Sequence, residues 1–167
     1  AIPFDATACT AAAEQHLLAV IRHHPEVEFT IFYQPDSAAN GLFEYRHHPR
    51  DFTARLSFKE KLSRKLCDMP NVKLYDFEAA DFTFQLDEYS DLSHYSLNVN
   101  RLVLKAIRDG DHCISADQIE SRTTAVTAAI ANLDRAVSPG DHAWAKWMSP
   151  RPPLVATEGQ RKFLPPH

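Results

Sequence analysis

Asp91 and His94 stand three residues apart in the stretch Asp91-Leu-Ser-His94-Tyr-Ser-Leu-Asn-Val-Asn100, just ahead of an apolar-periodic run over 101–108. At the mouth of a helix, that spacing lets both side chains point into one pocket. The carboxylate can hold one ring nitrogen of the imidazole while the other takes a proton from a nucleophile, which is the acid–base half of acyl transfer. Ser93, Tyr95, Ser96 and Asn98 supply hydrogen-bonding groups that can fix the loop. The plainer alternative makes Asp91 a helix N-cap acid, stabilising through the helix dipole, with a satisfied histidine beside it. A second Asp-x-x-His, Asp109-Gly-Asp-His112, falls at a helix C-terminus beside Gly110 with no acid-lined approach, and reads as a chance copy.

Other residue groups invite chemistry less strongly. His23-His24 and His47-His48 suggest metal ligands, but adjacent helical residues point about 100° apart, so each pair offers one ligand easily. Solvated surface histidines near Pro25 and Pro49 are the ordinary reading. Asp81, Asp87, Glu88 and Asp91 form an acidic run without the glycine spacing of a calcium loop. Phe77, Phe82, Phe84 and Tyr89 either line a sugar-binding cleft or belong to the core. No metal and no organic cofactor is expected.

The elements that must position the Asp91 loop follow from periodicity. A helix is predicted over 10–24, with Leu17, Leu18, Val20 and Ile21 on its apolar side and Pro25 stopping it. A strand over 27–33 follows, its nearly continuous apolar end suggesting burial on both faces. Gln34-Pro-Asp-Ser37 breaks it at the end where functional loops gather in open α/β sheets. An irregular loop is expected over 40–50, then a helix from an Asp51 N-cap to Cys67, with Phe58, Leu62 and Leu66 at four-residue spacing. A second strand over 72–75 completes the helix–strand–helix–strand order of a parallel α/β sheet.

Residues 76–90 read as a long acidic and aromatic loop with a short strand over 82–86. The next helix buries Val99, Leu102, Val103, Ala106 and Ile107 and ends at Gly110. The capping box Ser115-Ala-Asp-Gln118 opens a last helix through Ile119, Val126, Ile130, Leu133 and Val137. Two strands are few for a stable α/β domain. Further strands must lie in segments read as loops, or the sheet is completed by chain beyond this one.

The chain of 167 residues, 44% hydrophobic, suits one core. The expected division is a single α/β domain over 1–137, with 115–137 as its appended helix, and a Pro-rich tail over 138–167 that holds Trp144 and Trp147. A net charge of −4 without long basic blocks argues against nucleic acid or an anionic membrane as partner. No run approaches the roughly 18 apolar residues of a membrane helix. Cys9, Cys67 and Cys113, odd in number and widely spaced, do not make a disulfide framework or a Cys-x-x-Cys site. The start, Ala1-Ile-Pro-Phe-Asp, has neither an initiator Met nor the basic-then-apolar order of a signal peptide, which suggests a processed product or a fragment.

Tyr89-Ser-Asp-Leu-Ser-His-Tyr-Ser-x-x-x-Asn100, followed by a helix ending near Gly110, resembles the last catalytic block of SGNH/GDSL-type hydrolases. It is most similar to the cell-envelope branch that modifies alginate and other exopolysaccharides. The order His-His-Pro, strand, Gln34-Pro-Asp-Ser37, helix, strand is similar to the second half of that fold, so the resemblance covers 10–114. It implies a three-layer α/β fold and acyl transfer from an acylated carbohydrate or small ester, to water or to a sugar hydroxyl. Asp91 would orient the ring, and His94 would serve as base and then acid. It also implies a cell-envelope or periplasmic setting. The family's Gly-Asp-Ser-like nucleophile block, its oxyanion-hole glycine and its Asn-Asp block have no counterpart, since none of Gly41, Gly110, Gly140 and Gly159 is followed by the first pattern. Ser37 is the one serine in a suitable place, although it follows Pro-Asp. Otherwise the nucleophile belongs to a missing N-terminal segment of the same domain. A non-catalytic binding or assembly module of the same fold is the competing class.

Overall fold

The computed structural model describes residues 4–137, which form an α/β unit of mostly helices around a two-stranded parallel sheet. The tail expected over 138–167, with its two tryptophans, lies outside the described residues. Asp5 caps α1 (Ala6–Ala12), its carboxylate accepting the N–H groups of Thr7 and Ala8 at 2.9 and 3.0 Å. The helix therefore begins four residues before the expected start. It widens into a π-helical turn over Ala13–Leu18, where the Ala19 N–H donates five residues back to Glu14 O, and continues as α2 (Ala19–His23).

β1 (Phe29–Tyr33) pairs in parallel with β2 (Val72–Asp76), from Phe29↔Val72 to Tyr33↔Asp76. Phe29, Ile31 and Tyr33 join Leu74 against α2, Leu62, Leu66 and Ile119, while Tyr75 and Phe77 pack on the opposite side against Val99, Val103 and Ala106. The far edge of β2 is closed by residues 112–114. Cys113 bridges Tyr75, Ile114 N–H reaches Leu74 O at 2.8 Å, and Asp76 N–H reaches His112 O at 3.0 Å. No strand pairs with the other edge of β1 among the described residues. Thr30 is exposed and Phe32 is 42% exposed, so the two-sided burial expected of this strand is not found. Its burial alternates because, among the described residues, one of its faces is the better covered.

Three expectations are corrected. The loop expected over 40–50 is α3 (Ala38–His47), capped by Ser37, whose Oγ accepts the Asn40 N–H at 3.3 Å. Gly41 lets this helix approach Ile130 closely, since a Cβ there would meet Ile130 Cδ1 at 2.7 Å. The next helix, α4 (Pro49–Cys67), starts at Pro49, which suits a first helical position because its missing N–H has no partner to lose. His48 takes the N-cap place, and Asp51 falls in the first turn. The strand expected over 82–86 is replaced by 3₁₀ turns at Asp81–Phe84 and Leu86–Glu88, where Phe82 and Thr83 are buried.

α5 (Leu97–Asp109) and α6 (Ile119–Ala136) follow the predicted pattern. Val99, Val103 and Ala106 are buried, and Gly110 ends α5 at φ 80°. The capping box at Ser115 and Gln118 is formed at the 3₁₀ turn Ala116–Gln118, which leads into α6. Arg46 holds the far end of α6, donating to Asp134 Oδ1 at 2.5 Å, Asp134 O at 3.0 Å and Val137 O at 2.9 Å. No described helix is long and apolar enough to cross a membrane.

Candidate functional site

The Asp91–His94 turn is built by its own carboxylate. Asp91 Oδ1 accepts the backbone N–H groups of Ser93 at 2.9 Å and His94 at 2.8 Å, while Oδ2 contacts His94 Nδ1 at 2.7 Å. Both carboxylate oxygens are thus committed, and the ring is held through Nδ1. Desolvation pushes the Asp91 carboxyl up, but the His94 and Ser93 N–H groups together with the His94 ring outweigh it and hold it below the usual carboxylate range. The His94 side chain is 81% exposed, so Nε2 faces solvent.

The turn is anchored to the loop after β1. Ser37 donates its N–H (3.0 Å) and its hydroxyl (2.7 Å) to Leu92 O, and Tyr89 OH donates to Pro35 O at 2.7 Å. Burial drives the Tyr89 phenol well above its ordinary range, which keeps it a donor. On the other side, Ser90 N–H donates to His94 O at 2.9 Å and Ser96 N–H donates to Glu88 O at 2.7 Å. Glu88 also accepts the Ser96 hydroxyl and the Asn98 side-chain amide, and Ser96 Oγ caps α5 through the N–H groups of Asn98 and Val99. The N-cap of α5 is therefore Ser96 rather than Asp91, which leaves Asp91 free to hold the ring.

The fold thus brings Ser37 to the Asp91–His94 turn across 55 residues of chain, but to its backbone. Ser37 is 1% exposed, with its hydroxyl donated to Leu92 O and accepting from Asn40 N–H. Among the described residues, no serine hydroxyl bonds the His94 ring. Neighbouring Asp36 accepts the side-chain amides of Gln34 (2.9 Å) and Asn40 (3.1 Å), and burial pushes its carboxyl up.

The other residues singled out from the sequence are spent elsewhere. Asp109 is held by Arg108 and Lys105, which lower its carboxyl to about 2. His112, at φ 63°, lies against the Phe77 ring at 5.1 Å. His23 contacts Ala19 O, His24 contacts Glu26, and His47 and His48 flank the Phe43 ring. No group of three or more His, Cys, Asp or Glu side chains is placed to hold a metal among the described residues. Phe77, Phe82 and Tyr89 are core, while Phe84 is 40% exposed.

Sequence reasoning missed a buried charge cluster at the same end of the strands. Lys59, 5% exposed, donates to both oxygens of Asp76 (2.9 and 2.8 Å) and to Glu78 (2.8 Å), with its ammonium 4.7 Å from the Tyr33 ring centroid. Arg55 extends it, donating to Glu78 at 2.7 Å and Glu44 at 2.9 Å. Tyr33 OH pairs with Ser63 Oγ at 2.9 Å, and burial raises its phenol to about 12. The signal lay in α4, whose most deeply buried stripe is Phe52, Leu56, Lys59, Ser63 and Leu66. Two polar residues at core spacing hid it behind the more apolar Phe58–Leu62–Leu66 row. No family model, curated protein or solved structure matches the chain.

Proposed function

We propose that this chain supplies the Asp/His half of an SGNH-type serine esterase or O-acyltransferase acting on an acylated carbohydrate. The observation that carries the reading is the 2.7 Å contact between Asp91 Oδ2 and His94 Nδ1, which leaves Nε2 in solvent. A carboxylate fixed by two backbone N–H groups orients the imidazole and stabilises the imidazolium formed when Nε2 takes a nucleophile's proton. The same Nε2–H then returns the proton to the leaving alkoxide, so the ring is base in one half-reaction and acid in the other. The three-layer SGNH arrangement is part of this proposal. Among the described residues the other edge of β1 is unpaired and Thr30 and Phe32 are exposed, which leaves room for a further parallel strand and a covering helix. Such a strand would run alongside β1 towards Pro35, and its following turn is where a nucleophilic serine belongs.

A non-catalytic binding or assembly module of the same fold is the second reading. The burial of Ser37 and the engagement of its hydroxyl with Leu92 O favour it over catalysis by this chain alone. Fluorophosphonate labelling with peptide mapping, on this polypeptide and on any longer parent, separates the two. Label on a serine of this chain or its parent, lost in His94→Ala, is the expected result for the esterase. Absence of label from both, or label unchanged by His94→Ala, rejects it and leaves the binding module.

A further inference from the structure

We propose that the cleft between the α1–α2 helix and α4 binds a free fatty carboxylate, alkyl chain inward and head group on Lys61. This site is separate from the Asp91–His94 turn and does not depend on its reading. Ala13, Leu18, Phe58 and Leu62 wall a cavity of about 350 Å³. That volume lies in the range of small-molecule pockets, roughly 300–1,000 Å³, which are mostly apolar with a few placed polar groups.

The cleft has a local cause. The π-helical turn over Ala13–Leu18 interrupts the α-helix just where it faces α4, and such turns are frequent at functional sites. It presents a small side chain, Ala13, opposite the Phe58–Leu62 row of α4. That row is the one left half-buried when Lys59 and Ser63 turn towards the sheet.

Charge at the rim selects the ligand. Lys61, Arg64 and Lys65 stand there against one acid, Glu14. Arg64 is paired with Glu60 at 2.8 Å, and Lys65 with Glu14, which Arg22 also contacts at 3.2 Å. Lys61 has no ion-pair partner among the described residues. With Glu14, which is committed to Lys65 and Arg22, it lies where this cavity meets an open trough of about 440 Å³ lined by Ala6, Thr7, Thr10 and Ala11. An apolar slot with one free ammonium at its mouth matches a single alkyl chain bearing a single negative head.

The molecule carries its own control. Another apolar cleft of about 310 Å³, bounded by Tyr45, Phe52, Leu56 and Thr123, has Glu60, paired with Arg64, as its one charged lining residue and so offers the same head group no lining cation.

The test is titration of the full chain with decanoate, with decan-1-ol as the uncharged comparison, followed by backbone amide resonances. Saturable shifts are expected at Ala13, Leu18, Phe58 and Leu62. Lys61→Glu should weaken decanoate binding roughly tenfold, as a partly exposed attraction becomes a repulsion, while leaving decan-1-ol unchanged. Ala13→Trp, which fills the slot, should abolish both. Should Ala13→Trp fail to fold, the exposed Lys61→Glu variant decides alone. The proposal is overturned by shifts that do not saturate, by shifts confined to the Tyr45–Phe52 cleft, or by equal decanoate affinity in Lys61→Glu. Binding to phospholipid vesicles without binding of free decanoate also overturns it.

Discussion

Two arrangements of carboxylates around a side-chain nitrogen lie towards the same end of the strands, and they differ in what they leave unspent. At Lys59, Asp76 and Glu78, every charge is turned inward, and each oxygen and proton that matters has a partner. At Asp91 and His94, the carboxylate is equally committed, but the ring presents a free nitrogen to solvent. The first arrangement has the burial and charge density usually associated with active sites, but the recess that reaches it at Glu78 is water-sized, about 20 Å³. The second is shallow and almost surface-bound, but keeps the unspent valence that proton transfer requires. Buried charge clusters therefore locate structure as readily as function, and an available atom is the better discriminator.

The sharpest way to break this comparison is Lys59→Met. Removing Lys59 leaves the buried Asp76 carboxylate without a charge partner, while Glu78 keeps Arg55, at a cost of about 3–5 kcal/mol. Urea denaturation should show that loss, and a change below about 1 kcal/mol would mean that the cluster is not the internal strut described here. The adjoining Tyr33 gives a pH test. Its phenol is raised from 10.0 to about 12 by burial, so the native state retains a proton that the unfolded chain releases. The associated stability is fully present below pH 10 and is lost as pH rises towards 12, amounting to about 2 kcal/mol. Phenolate absorbance and unfolding should move together across that window. In Tyr33→Phe, the loss over that interval should shrink.

Much of this contrast was legible in the sequence, for reasons that differ between elements. The Asp91–His94 pair is local, and three-residue spacing is enough to place a carboxylate against a ring. Gly110 and the Ser115–Gln118 box are also local, and both end or begin helices as their chemistry dictates. What could not be read depends on distant neighbours. Residues 38–47 contain Gly41, which weakens a helical pattern, but the close approach of Ile130 rewards a small residue there. Lys59 looks like a solvated helix position until Asp76 and Glu78 are brought to it from β2 and the turn beyond. Ser37 was noticed for its place after a strand, yet its partner, Leu92 O, lies 55 residues away. A side chain's donor is visible in sequence, but its acceptor is chosen by the fold.

Ser37 supplies the intermediate effect. Ser37→Ala removes an N-cap and the hydroxyl that ties α3 to the Asp91 turn, and should cost about 1–2 kcal/mol. Amide exchange should quicken at Asn40 and through residues 91–94. If Ser37 were instead the nucleophile, the substitution would abolish fluorophosphonate labelling while leaving exchange in that turn unchanged. The two roles are thereby separable in one variant.

The smallest effect on stability belongs to the pair itself. His94 is largely exposed, and its ring supports nothing beyond Asp91, so His94→Ala should shift the urea midpoint by less than about 0.5 kcal/mol. Asp91→Asn keeps an oxygen for the Ser93 and His94 N–H groups, and should likewise leave the fold intact while removing the charge that orients the ring. The depressed Asp91 carboxyl has a matching acid signature. The order it lends the turn is present above the ordinary carboxylate range and is lost as pH falls through its lowered value. Nitrogen shifts of the His94 ring should therefore show Nδ1 as the bonded, protonated nitrogen in the wild type at neutral pH, and a redistribution between the two tautomers in Asp91→Asn. An unchanged tautomer ratio in that variant would mean that the carboxylate does not direct the ring. The contrast with the buried cluster would then reduce to exposure alone.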